Sequence, residues 1–248
     1  MGPRPCLLAA ALALACAHGP SRKERETAEI HYNLGLEALR GARFQEAMKE
    51  IDEALALDSA FADAHLARGL ALEYGFGRLA EAEAAYRRAI ELRPGFSDAH
   101  NDLGQLLAKT GRLDEAVREF DAALANMLYK EPWVARCNKG QAQYRMGKKE
   151  DGLGEMRACL QQAPRFCLGW RELGRLLLAD GDAKGALDAF GQYSRACDKL
   201  PDAWYQTALA LLKAGNVEQA REAFERCGAL GADTPLGDEC KRSREQLR

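Results

Sequence analysis

The sequence predicts an all-α protein, six helical hairpins stacked as a solenoid. Strand signals are almost absent, and Ala, Leu, Glu and Arg dominate, which is the composition of helices. Glycines in similar surroundings recur at Gly35, Gly69, Gly104, Gly140 and Gly174, and Ala208 takes the same place in QTALALL. Their separations are 34, 35, 36, 34 and 34 residues, a period that signals a repeat architecture. A second small residue follows about twelve positions later, at Ala47, Ala82, Ala116, Gly152, Ala186 and Ala220. Four residues beyond each stands a large apolar one: Ile51, Tyr86, Phe120, Met156, Phe190 and Phe224. Small residues let two helices approach closely and the large one fills the space beside them, so each period is a pair of antiparallel helices.

The elements follow in order. Residues 1–15 read as a signal peptide: Arg4, an apolar run from Leu7 to Ala17 that is too short for the ~20 residues a spanning helix needs, small residues, then polar chain. Its end, ALAC, reads in two ways. Ala13 and Ala15 form an A-x-A site for ordinary signal peptidase, whereas Ala15-Cys16 resembles the lipobox of bacterial lipoproteins, from which the chain departs in having Ala13 where Leu is commonest. The lipobox reading makes Cys16 the lipidated residue, with residues 16–27 as a polar tether and a durable hold on a membrane. Ala17 follows where lipoproteins retained in the inner membrane commonly carry Asp, so the resemblance implies the outer membrane.

Six units then occupy about 28–61, 62–96, 97–132, 133–166, 167–200 and 201–232, each turning at a Gly-containing signal: RGAR, GFGR, KTGR, RMGK, ADGD and KAGN. An extra residue in EYGFGRLAEA is expected to widen the second turn, and ANMLYKEPW to lengthen the link between the third and fourth units. Residues 233–248 supply a polar helix that caps the last hydrophobic face.

These columns resemble the tetratricopeptide repeat, with Pro94 and Pro164 closing their units as the family does and Ser59 standing there in the first. The resemblance implies a right-handed solenoid whose concave surface is lined by the first helix of each pair. The inward face then carries Tyr32, Leu36 and Leu39, next Leu66, Leu70 and Tyr74, and then Asn101, Gln105 and Lys109. Units one and two thus offer an apolar trough for an amphipathic helix or an extended peptide, with Asn101 and Gln105 beyond it. Chaperone-binding members grip a terminal carboxylate with Lys and Asn where this chain has Tyr32 and Leu36, which disfavours that mode.

Catalysis finds no support. The formal charge is -2, from 35 basic and 37 acidic residues, which gives no electrostatic case for nucleic acid. There is no H-E-x-x-H and no phosphate-binding glycine loop. His31, His65 and His100 share one repeat column, and adjacent units space that column ~8–10 Å apart, too far for one zinc. No metal, cofactor or small-molecule substrate is expected. Cys137, Cys159, Cys167, Cys197, Cys227 and Cys240 lie in the second half without a C-x-x-C, which in an exported chain favours disulfides. Cys167 begins one helix and Cys197 ends its antiparallel partner, and Cys227 can reach Cys240 in the cap. The alternative for Cys159 and Cys227 is a small buried thiol, since both stand where other units have Ala54, Ala89 and Ala123.

A Cys at the mature start, a short polar tether and six repeats resemble the secretin pilotins of type IV pilus systems (PilF/PilW/Tgl type). That resemblance implies a lipid-anchored protein on the periplasmic face of the outer membrane, which binds secretin subunits and promotes their assembly. The alternative is a general scaffold lipoprotein of another cell-envelope or outer-membrane assembly complex.

Overall fold

The computed structural model describes residues 19–247. Cys16 and the signal stretch 1–15 lie outside the described residues. Two compact units divide the chain, one reaching to Leu103 and the other beginning at Gly104. Among the described residues all regular structure is helical.

The first unit contains α1 (Arg22–Arg40) with α2 (Phe44–Leu57), and α3 (Ala62–Leu70) with α4 (Leu79–Leu92). The boundary between the units falls inside α5 (Ser97–Lys109). The second unit continues with α6 (Leu113–Ala125) and the pairs α7 (Pro132–Arg145) with α8 (Lys149–Gln162) and α9 (Cys167–Ala179) with α10 (Ala183–Ala196). It ends in α11 (Pro201–Lys213), α12 (Val217–Leu230) and a last helix, α13 (Pro235–Gln246).

The small and large columns meet inside each pair. A Cβ added at Gly35 would stand 2.7 Å from Ile51, at Gly104 2.6 Å from Phe120, and at Gly174 2.7 Å from Phe190. Tyr86, Phe120, Phe190 and Phe224 are fully buried, so the ring of each second helix fills the groove that the small residue of the first leaves open. At Gly140 the neighbour is main chain: the added Cβ would lie 2.7 Å from the Gly152 carbonyl oxygen.

Two expectations need correction. Residues 22–27, read as part of the tether, are already helical, because Ser21 accepts from the Glu24 N–H while the Glu24 side chain accepts from the Ser21 N–H. This reciprocal cap satisfies amide groups that would otherwise be orphaned and starts α1 early. The second turn is also no wider than the others. Every hairpin turns through three residues, with the middle one left-handed: Ala42, Gly77, Gly111, Gly147, Gly181 and Gly215. Five of these turns close through an N–H to C=O bond five residues back, such as Arg43 to Ala38 and Arg112 to Leu107 at 2.9 Å, the αL termination of helices. In the second hairpin Arg78 reaches six residues back to Leu72. A π-helical turn, Ala71–Gly75, absorbs the extra residue inside the helix.

The link between α6 and α7, residues 126–131, is longer than the links between the other hairpins, as expected, and opens with a tight turn. Asn126 accepts from the Tyr129 N–H at 3.1 Å through its carbonyl and from the Leu128 N–H at 3.0 Å through its side chain, and this presents Met127 and Leu128 almost fully to solvent. At the C-terminus, Thr234 caps α13 by accepting from the Gly237 N–H at 3.2 Å, and the buried Gly237 and Cys240 set α13 on α12.

Candidate partner-binding surface

The predicted trough residues sit deeper than a fully open trough requires. Tyr32, Leu36 and Leu39 are partly buried against the alanine-rich cluster of α1, α2 and α3. The Tyr32 ring packs on Phe61 with centroids 4.9 Å apart. Burial, reinforced by Asp63, raises its phenol above the ordinary range. Leu66 packs against Ala62, Ala89, Phe96 and Ala99, Leu70 is half-buried, and Tyr74 is 59% exposed. Arg93 pairs with Asp63 and lies 4.1 Å over the Phe96 ring, adding a polar rim. Sequence reasoning missed Ile30 and Leu34, which are more exposed than Leu36 and lie on another face of α1. Their i, i+4 spacing is the signal in the sequence that marks this second apolar strip.

Asn101 is buried, and its side-chain N–H donates to Asp102 at 3.2 Å. Burial pushes the Asp102 carboxyl up to about 7; Asp98 and Glu73 push the same way and Asn101 opposes them. Glu73, in the π turn, is itself buried and accepts from the Tyr86 hydroxyl at 3.1 Å. A folded-state pKa above the unfolded value means that the native chain holds a proton which the unfolded chain has released. The resulting cost is absent below about pH 4, grows between about 4 and 7, and is fully present above 7. Asp102→Asn is therefore expected to stabilise the first unit by on the order of 2 kcal/mol at pH 8 and to change little at pH 4. Urea unfolding of wild type and variant across that range checks it; a gain at pH 4 as large as that at pH 8 would contradict the assignment.

The histidine column has a structural use. His65 and His100 bond through Nε2 to carbonyls six residues back, at Ser59 (3.0 Å) and Pro94 (2.9 Å). Trp170 and Trp204 do the same to Pro164 (2.8 Å) and Asp198 (2.7 Å). The remaining members turn to the second helix, His31 to Glu50 at 2.7 Å and Arg136 to Glu155 at 3.3 Å. Among the described residues no three His, Cys, Asp or Glu side chains stand together as a metal site.

The six cysteines form three disulfides, all in the second unit: Cys137–Cys159, Cys167–Cys197 and Cys227–Cys240, with Cα separations of 5.5, 5.9 and 6.0 Å. The first two tie the two helices of one hairpin and the third ties α12 to α13. Cys159 and Cys227 are thus buried and bonded, and the reduced-thiol alternative gives way to this pairing.

Gln105 also belongs to the second unit, where it lines a cavity of about 270 Å³ with residues of α7 and α9. Val134, Cys137, Met156, Phe166 and Leu168 give the cavity apolar walls. Its polar lining is Gln105, Asn138, Gln141, Arg171 and Glu172. Glu172 accepts from Arg171 Nε at 3.2 Å, Arg175 Nη1 at 3.5 Å and Gln141 Nε2 at 3.3 Å. The sequence columns had Gln105 on the inward face without indicating that a hole lay beside it.

The tetratricopeptide repeat profile matches residues 32–95, 72–126 and 137–201, and a second profile of that repeat matches 202–230. The chain is a tetratricopeptide-repeat protein. Its hairpins belong to a scaffold whose surfaces hold protein partners, and no described helix is long and apolar enough to cross a membrane. Among curated relatives, Protein FlbA of Caulobacter vibrioides is 25% identical over 144 residues, which are 58% of this chain and 24% of FlbA. This tetratricopeptide-repeat protein therefore spans about a quarter of that relative's length. Among solved structures, the type IV pilus biogenesis factor PilW superposes with a TM-score of 0.75 at 24% identity, covering 86% of this chain and 97% of PilW. PilF of Pseudomonas aeruginosa gives 0.72 at 18% identity, covering 90% of this chain and 100% of PilF. The fold is shared with both.

Proposed function

We propose that this protein is a lipid-anchored, non-enzymatic binding protein of the periplasmic face of the outer membrane, which engages secretin subunits and promotes their assembly for type IV pili. One observation carries the reading: the superposition covers 97% of the solved PilW chain and all of the solved PilF chain, so the same run of hairpins makes up those chains and most of this one. Anchoring through Cys16 suits the task, because confinement to the membrane surface raises the binder's effective concentration beside the insertion site. The trough from Tyr32 to Tyr74, with its half-buried leucines and exposed tyrosine, suits apolar anchors of a partner segment.

Affinity capture from detergent-solubilised envelope tests the reading. A secretin is expected as the main prey, and barrel-assembly components in its place would overturn it. Tyr74→Asp is the variant to compare, because Tyr74 is exposed whereas Leu36 also supports the core; it is expected to weaken capture by about tenfold or more. Cys16→Ala is expected to release the protein from the membrane fraction, and intact mass of the mature wild type showing an unmodified Cys16 would contradict the anchor.

A further inference from the structure

We propose that α1 pairs, antiparallel, with α1 of a second copy of this chain through the strip Lys23, Ile30, Leu34 and Glu37. The inference goes beyond the secretin reading, which rests on the trough, and stands or falls separately from it.

The repeat itself shows what this face of α1 does elsewhere. Five residues before the column Gly or Ala, every later unit has a small buried residue, Ala64, Ala99, Ala135, Gly169 and Ala203, and where its neighbours are defined they belong to the hairpin before it. Ala64 packs into the cluster of α1 and α2, a Cβ added at Gly169 would stand 2.8 Å from Leu160 and 3.0 Å from Cys137, and Ala203 lies among buried residues of α9 and α10. The residue just before the column position does the same. Arg68 Nε donates to Asp52 of α2 at 3.1 Å, Lys139 pairs with Asp121 of α6 at 2.8 Å, and the Thr207 hydroxyl donates to the Phe190 carbonyl of α10 at 2.8 Å. In α1 these two columns hold Ile30 and Leu34, 60% and 47% exposed, with no hairpin ahead of them among the described residues. The open end of a solenoid needs a polar outer face, so an apolar pair there marks a surface that another body covers.

Bulk and charge select the occupant. Where later units have Ala or Gly, Ile30 holds off a helix packed as closely as the repeat's own, so a further hairpin in the same register does not fit. Nor does the last helix offer a matching apolar face, since the exposed side of α13 carries Asp238, Lys241, Arg242 and Glu245, and a head-to-tail chain of copies has nothing to join. The face is instead complementary to itself. Residues seven apart share one side of a helix, about 10 Å from each other, and Lys23 and Glu37 stand seven before and seven after Ile30. Turning one α1 against another about a two-fold axis at Ile30 sets Ile30 on Ile30, Leu34 beside Thr27 and Lys23 opposite Glu37, the last two contacts twice over. Both charges are exposed and neither is ion-paired among the described residues, whereas neighbouring Arg22 is held by Glu26 at 2.7 Å. A lipid surface matches less well, because Glu26, Glu29 and Glu37 surround the apolar pair and anionic headgroups repel them.

The test is sedimentation equilibrium of the oxidised full chain carrying Cys16→Ala, so that no acyl chain or shared micelle brings copies together. A reversible dimer is expected, weakened about tenfold or more by Ile30→Asp and weakened as salt rises. Lys23→Glu and Glu37→Lys are each expected to weaken self-association about tenfold, because each sets like charges opposite one another at both ends of the pair. Mixing these two chains is expected to restore dimers, since the mixed pair again places Glu opposite Lys at both ends; no other arrangement of the face predicts that recovery. If Ile30→Asp melts earlier than wild type, the two charge variants and their mixture carry the comparison. A chain that stays monomeric at millimolar concentration, a dimer indifferent to Ile30→Asp, or charge variants that do not recover on mixing each overturns the proposal. Binding of monomers to phosphatidylglycerol vesicles that is lost with Ile30→Asp would assign the face to lipid and overturn it as well. Failure to capture a secretin leaves the pairing standing, and a monomeric chain that captures a secretin leaves the secretin reading untouched.

Discussion

Reduction of the three disulfides is expected to unfold the second unit well before the first. The bridges close loops of 22, 30 and 13 residues, and the chain-entropy account gives roughly 3 kcal/mol for each. Their sum is comparable with the ~5–15 kcal/mol that stabilises a whole domain. The chain provides its own reporter, because its three tryptophans, Trp133, Trp170 and Trp204, all lie in the second unit. In urea with a strong thiol reductant, the tryptophan transition is expected to move to much lower denaturant, while a helical signal from the first unit persists beyond it. Superimposable tryptophan transitions with and without reductant would refute the stabilising role of the bridges.

The second large effect belongs to Gly140. Gly140→Ala drives a methyl group towards the Gly152 carbonyl oxygen and the Met156 N–H, at 2.7 and 3.0 Å. Both are main-chain atoms of α8, so neither can swing aside as a side chain would. Overpacking of this kind costs about 3 kcal/mol, and a bridge one turn away, Cys137–Cys159, resists separation of the two helices. Gly154→Ala on the same helix α8 is the control. Nothing lies within 4 Å of a Cβ there, so replacing a mid-helix glycine gains about 0.5–1 kcal/mol. Opposite signs for the two substitutions, read from thermal or urea unfolding of the oxidised protein, are the expected result; equal small effects would mean that the helices can part.

Much of the fold was legible because its signal is local and repeated. A small residue, a second small residue and a large one, in register six times, fix which helices pair and which faces meet. The pairing of Cys137 with Cys159 was legible by the same logic. Cys137 stands one turn before Gly140, Cys159 stands one turn beyond Met156, and antiparallel helices bring those turns together. Cys159 occupies an alanine column, which suits a small buried thiol equally well and hides the pairing. The π turn left no comparable trace: an inserted residue near a Gly turn reads as a longer loop, and only the bond from Arg78 to Leu72 distinguishes the two. Site residues were harder still. Tyr32 and Leu36 have the right phase for an open surface, yet Phe61 and the α1–α3 cluster cover much of them, contacts that depend on how neighbouring hairpins meet.

The bonds from a first helix back to the carbonyl six residues earlier bear on how the chain tolerates change. At Ser59, Pro94, Pro164 and Asp198 the loop that ends one hairpin is fastened by the helix that begins the next. Arg136 is the exception, since it turns to Glu155, and the loop before it is the long one that presents Met127 and Leu128. An added stretch of chain there interrupts no such fastening and displaces no buried side chain. The tip at Met127–Leu128 is accordingly the natural seam of the second unit, the place where a foreign domain or a protease cleavage sequence can be spliced in with the hairpins on either side left whole.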